Sequence, residues 1–295
     1  VPYDSVTKNF WIIKIGTLGN TIWQKNYGDE YNNEAWSIIQ TSDGGFVAVG
    51  GTTSSINFSM DWWILKLNST GEILWKKQFG GSNEDYAKDV TELQDGSVVV
   101  TGYVGMGNSY RKISVVRLGT DGEEIWYKSY YINNWEEATS ITTTHDNFLV
   151  LSGFTRQEAI TDYDALVMKL NTDGDTLWMR IFGRDYFKNL PSNEIGYQKK
   201  IISEYNKKYW DEASAVVESF DDDYIIGGFS KANEMMKSDF MIVKYSPDGD
   251  LVWYDFFNRE SLDICTGMIE TREKNIMLSG VTYSIGNAWD YAVLK

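Results

Sequence analysis

Five-residue apolar runs that close on a basic residue recur along the chain, as FWIIK (10–14), WWILK (62–66), ISVVR (113–117), ALVMK (165–169), FMIVK (240–244) and YAVLK (291–295). The closing residues Lys14, Lys66, Arg117, Lys169, Lys244 and Lys295 are spaced 52, 51, 52, 75 and 51 apart. Five residues beyond each of the first five stands a glycine, and four further on a tryptophan: Trp23, Trp75, Trp126, Trp178 and Trp253. A strand, a turn that needs a positive φ and a second strand make a hairpin, written most plainly in TDGEEIW and TDGDTLW. A small residue then recurs in register (Ala35, Ala87, Ala138, Ala213, Cys265), followed eight positions on by an acidic turn residue (Asp43, Asp95, Asp146, Asp221, Glu273). The apolar strand after that turn carries Gly50, Gly102, Gly153, Gly228 or Gly280, which completes a second hairpin.

No segment keeps a 3.6-residue apolar period over three turns, so the pattern predicts strands throughout. Four short antiparallel strands per repeat of about 51 residues predict an all-β fold, a β-propeller of four-stranded antiparallel blades. A single blade cannot shield both of its faces from water, whereas stacked neighbours can. With strands lettered A to D from the small-residue column to the Trp column, the chain reads C, D, four complete A–D blades, then A, B, C. That is one strand more than five blades need. The reading is a single propeller domain over 1–295, with five blades in one closed ring. Six or more blades, or a fragment of a longer array, are the alternatives, and the surplus strand offers a route to self-association. The 75-residue spacing marks an insertion at about 183–208, between the third and fourth complete blades; its segment NEIGYQKKIISEYNKKYW is cationic.

The chain carries 12 Trp, 19 Tyr and 13 Phe, a ring content that suits pleated surfaces. A net charge of -15 repels phosphate backbones, which argues against nucleic acid as a partner. No apolar run is long enough to span a bilayer as a helix, so membrane insertion is not expected. The first residue is not Met, which fits a mature or excised segment. One Cys excludes an internal disulfide framework, and one His excludes a His-rich metal site.

DWWILKLNSTGEILWKKQFGGSNEDYA (61–87) and TSDGGFVAVGGTTSS (41–55) resemble the repeats of secreted or cell-surface β-propellers of bacteria and archaea. GEILW is also similar to the blade motif of quinoprotein-type propellers. The resemblance implies fold and export, hence an extracellular or cell-surface location; no quinone-binding residue set carries over.

The A–B and C–D turns are tight, whereas the B–C loops (SSINFSM, GMGNSYR, RQEAITDY, KANEMMKS, YSIGNAW) are longer and chemically varied. Binding is expected on the loop-bearing face. Just before the small-residue column runs an acidic one, Asp85, Glu136, Asp211 and Asp263, with Asn33 in the first repeat. As a ring these residues would hold a cation such as a structural Ca2+, or a polar ligand, with Tyr86, Trp135 and Trp210 as stacking surfaces. Their repetition in every blade favours instead carboxylates that accept backbone N–H bonds at the blade junction or pair with a column Lys of an adjacent strand. No other cofactor and no catalytic residue is assigned. Cys265 reads as a small buried side chain and His145 as an exposed turn residue. The functional expectation is a non-catalytic extracellular recognition module for a glycan or protein. The alternatives are a glycoside hydrolase or lyase of the five-bladed kind, with Asp185, Glu194 and Asp211 as its asymmetric acids, and a structural subunit of a surface assembly.

Overall fold

The structure, a computed structural model, describes residues 8–28, 31–53, 58–107, 110–156, 163–183, 209–232, 237–257, 262–284 and 288–294. Among them lie 21 strands in the predicted order, grouped by contact into two compact units, 1–130 and 131–295. The first unit holds the hairpin β1 (Phe10–Ile15) and β2 (Thr21–Tyr27), followed by two runs of four strands, each strand paired antiparallel with the next. These are β3 (Asn33–Gln40), β4 (Phe46–Thr53), β5 (Met60–Leu67), β6 (Ile73–Phe79), and β7 (Asp85–Glu92), β8 (Val98–Gly105), β9 (Arg111–Leu118), β10 (Glu124–Tyr130). The second unit repeats the plan with β11 (Trp135–Thr143), β12 (Leu149–Arg156), β13 (Tyr163–Leu170), β14 (Thr176–Phe182), and β15 (Tyr209–Glu218), β16 (Tyr224–Ala232), β17 (Lys237–Tyr245), β18 (Leu251–Phe257). Three further antiparallel strands follow, β19 (Leu262–Glu270), β20 (Ile276–Ser284) and β21 (Ala288–Leu294), with β19 also joined to β17 by a parallel bridge. Apart from Gly183, the insertion expected at 183–208 lies outside the described residues.

The cores lie between sheets. In the first unit Val47, Val49, Trp62 and Ile64 of one blade pack on Ala87, Val90, Val98 and Val116 of the next. In the second, Val150, Val167 and Phe182 meet Ala213, Val216 and Met241, while Ile225 and Ile242 meet Cys265 and Met268. Sandwiched strands are therefore buried on both faces, and β5 is buried at every residue. That is why they read as continuous apolar runs and not as alternation. Four members of the small-residue column, Ala87, Ala138, Ala213 and Cys265, have no exposed surface, whereas Ala35 of the first blade is exposed. Burial pushes the Cys265 thiol up to about 11, so it is a packing group and not a nucleophile.

The glycine column has a backbone cause. In all five A strands the register slips by one residue after the small residue, which leaves Trp36, Lys88, Thr139, Ser214 or Thr266 bulged. Opposite the slip stands the column glycine of strand B. A Cβ there would lie 1.9 Å from the Glu34 carbonyl oxygen at Gly50, 1.9 Å from that of Glu137 at Gly153 and 2.0 Å from that of Glu212 at Gly228. Only a residue without a side chain admits that carbonyl.

The Trp column fastens the outer edge. Trp23, Trp75 and Trp178 donate their indole N–H to Ser69, Thr120 and Pro247 carbonyls of the following C–D turn, at 3.2, 3.0 and 2.9 Å. The turn glycine beneath the ring is doubly constrained: Gly122 has a φ of +82°, and a Cβ there would fall 2.8 Å from the Trp75 ring. The closing bases of strand C reach back to their own A–B turn, Lys66 to Asp43 at 2.8 Å, Arg117 to Asp95 at 2.6 Å and Lys244 to Asp221 at 2.8 Å. Among the described residues β1 pairs only with β2 and β21 only with β20.

Candidate functional site

The acidic column is interior. Asn33, Asp85, Glu136, Asp211 and Asp263 are each at most 2% exposed. Asp85 accepts N–H bonds from Gly105 at 2.7 Å and Gly81 at 2.8 Å, closing the connection that leads into β7. Glu136 accepts from the Asn133 and Ile132 amides in the same place one blade on. Asn33, the amide of the column, accepts from the Thr52 hydroxyl at 2.6 Å and donates to the Tyr31 carbonyl at 2.9 Å. These three residues thus bind the backbone at the blade junction.

Burial raises Asp85 to about 6 and Glu136 to about 7. An acid raised in the fold stabilises it when protonated; that contribution is present below about pH 4 and lost as pH rises toward the folded value. Asp43 and Asp221 run the other way. Hydrogen bonds from Lys66 and Lys244 hold them at about 2, so their contribution is present above about pH 4 and lost as pH falls toward 2. The expected result is a melting temperature that declines between about pH 4 and pH 7, a decline that Glu136→Gln makes shallower at its upper end. Scanning fluorimetry from pH 4 to 8 reads it; an unchanged slope in the variant would remove Glu136 as a cause.

The predicted aromatic residues, by contrast, come together with cations. In the first unit the bulges re-aim two side chains, Trp36 and Lys88, so that the Lys88 ammonium lies 3.9 Å from the Trp36 ring centre. Tyr86 meets the edge of Trp36 at 6.3 Å and tilts over Tyr103 at 5.6 Å, while the Arg111 guanidinium covers Tyr103 at 4.1 Å. Trp36 is 52% exposed and also walls a groove of about 610 Å³ with Lys8, Asn9, Trp11, Asn33 and Glu34.

In the second unit Tyr163 stacks on Trp210 with ring centres 4.5 Å apart. The Arg156 guanidinium lies 5.5 Å from Trp135 and 5.3 Å from Tyr163, and Lys231 lies 5.8 Å from Trp210. Both clusters are built from strand A, the end of strand B and the start of strand C, the side that bears the B–C and D–A connections. Tyr86, Trp135 and Trp210 were legible in advance. Trp36, Lys88, Tyr103, Arg111, Arg156 and Tyr163 were not, although Trp36 and Lys88 stand in a bulge column otherwise filled by Thr139, Ser214 and Thr266. Those small hydroxyl residues mark the structural alternative: the Thr139 hydroxyl donates to the Ala213 carbonyl of the next blade at 2.7 Å. Asp185 and Glu194 lie outside the described residues.

Residues 93–123, from one A–B turn through strands B and C to the next turn, match the model of a domain of unknown function, DUF5122, described as a β-propeller. The fold is a β-propeller. A comparison with curated proteins finds no match. Among solved structures the chain is similar to an endo-arabinase from Bacteroides thetaiotaomicron, with TM-score 0.47 and 10% identity over 88% of this chain and 92% of that one. It is also similar to a mannose phosphorylase from Leishmania mexicana, with TM-score 0.45 and 9% identity over 90% and 84%. A β-xylosidase/α-arabinofuranosidase from a compost metagenome gives TM-score 0.45 and 10% identity over 90% of each chain.

Proposed function

We propose that this propeller is a non-catalytic recognition module, acting outside the cell or at its surface, which binds a glycan on the side bearing the B–C and D–A connections. The observation that carries this reading is the pair Trp36 and Lys88. Two successive blades depart from the hydroxyl residues found elsewhere in the bulge column and bring a ring and a cation together at the surface. Flat rings present faces to sugar C–H groups, and the Lys and Arg heads beside them donate to hydroxyls or carboxylates. Asp85 and Glu136 are taken up by backbone amides, and the Lys and Arg groups lie directly beside the rings.

A glycan array probed with the full chain tests the reading. Binding to a defined set of oligosaccharides is expected, lost in Trp36→Ala and in Trp210→Ala, with circular dichroism unchanged. Retention of every glycan signal in both variants would overturn it. An array without signal, together with specific capture by a purified surface protein, would move the ligand class from sugar to protein. Release of reducing ends from any array glycan, abolished by Asp211→Asn, would replace recognition by hydrolysis.

A further inference from the structure

Neighbouring blades are also tied at the A–B turns. The backbone N–H of the first turn residue donates to a glutamate at the end of the next A strand: Ser42 to Glu92 at 2.8 Å, His145 to Glu218 at 2.6 Å and Phe220 to Glu270 at 2.7 Å. At the middle tie alone of these three, the turn residue carries a metal-ligating side chain. His145 Nδ1 lies 3.3 Å from Glu218 Oε2 and 3.1 Å from Oδ1 of Asp222 in the following turn. One donor atom from each residue falls within 4.8 Å of the other two. We propose that His145, Glu218 and Asp222 form a binding site for a zinc-class divalent metal that joins the β11–β12 turn to β15 and the β15–β16 turn.

The geometry fits such an ion. Tetrahedral zinc with imidazole nitrogen and carboxylate oxygen at roughly 2.0–2.2 Å needs donors about 3.4 Å apart, within a few tenths of an ångström of both distances here. Three protein donors leave the fourth position to water. An imidazole among the donors favours zinc, cobalt or nickel over calcium and magnesium, which take oxygen. Glu218 is held in place: its side chain is 7% exposed, and Oε2 accepts the His145 amide, an outer contact of the kind that orients a ligand. His145 and Asp222 are exposed at 66% and 69%, so an ion reaches them from solvent. Asp146 and Asp222 add negative charge beside Glu218. The site lies on the A–B turns, at the opposite end of the strands from the aromatic clusters, and is independent of the recognition reading.

The test uses the chain without an affinity tag, because the sequence has a single histidine. Calorimetric titration with zinc chloride is expected to give one saturable site per chain. Cobalt in its place is expected to give visible absorption bands of a tetrahedral ion. His145→Ala and Asp222→Asn should each weaken zinc by at least about tenfold; Asp222 has a φ of 65°, which Asn also tolerates. The competing state is an imidazolium paired with two carboxylates and indifferent to metal. Absence of saturable binding up to about 1 mM zinc, or affinity undiminished in His145→Ala with an unchanged circular dichroism spectrum, would overturn the proposal.

Discussion

Gly153→Ala is expected to destabilise the protein by about 3 kcal/mol, the upper end of what overpacking costs. The added methyl would lie 1.9 Å from the Glu137 carbonyl oxygen and 2.9 Å from the Ala138 Cα, both backbone atoms that no rotamer change moves. To admit it, the bulge at Thr139 would have to flatten. That bulge aligns the Thr139 hydroxyl with the Ala213 carbonyl at 2.7 Å, so the damage reaches the next blade. Gly81→Ala is the matched control. Nothing lies within 4 Å of a Cβ at that position, and the expected change is within about 0.5 kcal/mol. Urea denaturation followed by tryptophan fluorescence compares the two; equal midpoints would mean that the facing glycine has no steric role.

Trp62→Ala is expected to cost about 3–5 kcal/mol. The ring has no exposed surface and belongs to the cluster formed between the β3–β6 and β7–β10 blades. Its indole N–H donates to the Tyr103 carbonyl at 2.8 Å, so truncation leaves both a cavity and a buried acceptor without its donor. Trp62→Phe keeps most of the ring and loses the bond, and its expected cost is about 1–3 kcal/mol. Trp11→Ala, on a residue 62% exposed, is expected to change stability little. Should Trp62→Ala cost no more than Trp11→Ala, face-to-face packing would not be what holds neighbouring blades.

The period, the strand order and the four strands per blade were legible because each rests on local chemistry: a closing base, a turn glycine, a small residue in register. The Trp column is plain as a repeat, but the indole bonds of Trp23, Trp75 and Trp178 join residues 46, 45 and 69 positions apart and form only in the fold. The glycine column was visible but unexplained, since the register slip that demands it lies in the partner strand. A carboxylate column looks the same in sequence whether it faces a ligand or closes a backbone turn. The two amides that meet Asp85, at Gly81 and Gly105, lie on either side of it in the chain and come together only in the fold. His145 read as a bare turn because its partners stand 73 and 77 residues away.

The division of labour between rings and acids is the claim on which the functional account rests. It is tested most directly by titrating the strongest glycan from the array, by calorimetry, against the wild-type chain, Trp36→Ala and Glu136→Gln. The account predicts that Trp36→Ala abolishes binding at an unchanged melting temperature, whereas Glu136→Gln retains the affinity and alters only the dependence of melting on pH. Loss of affinity in Glu136→Gln with full binding by Trp36→Ala would contradict it.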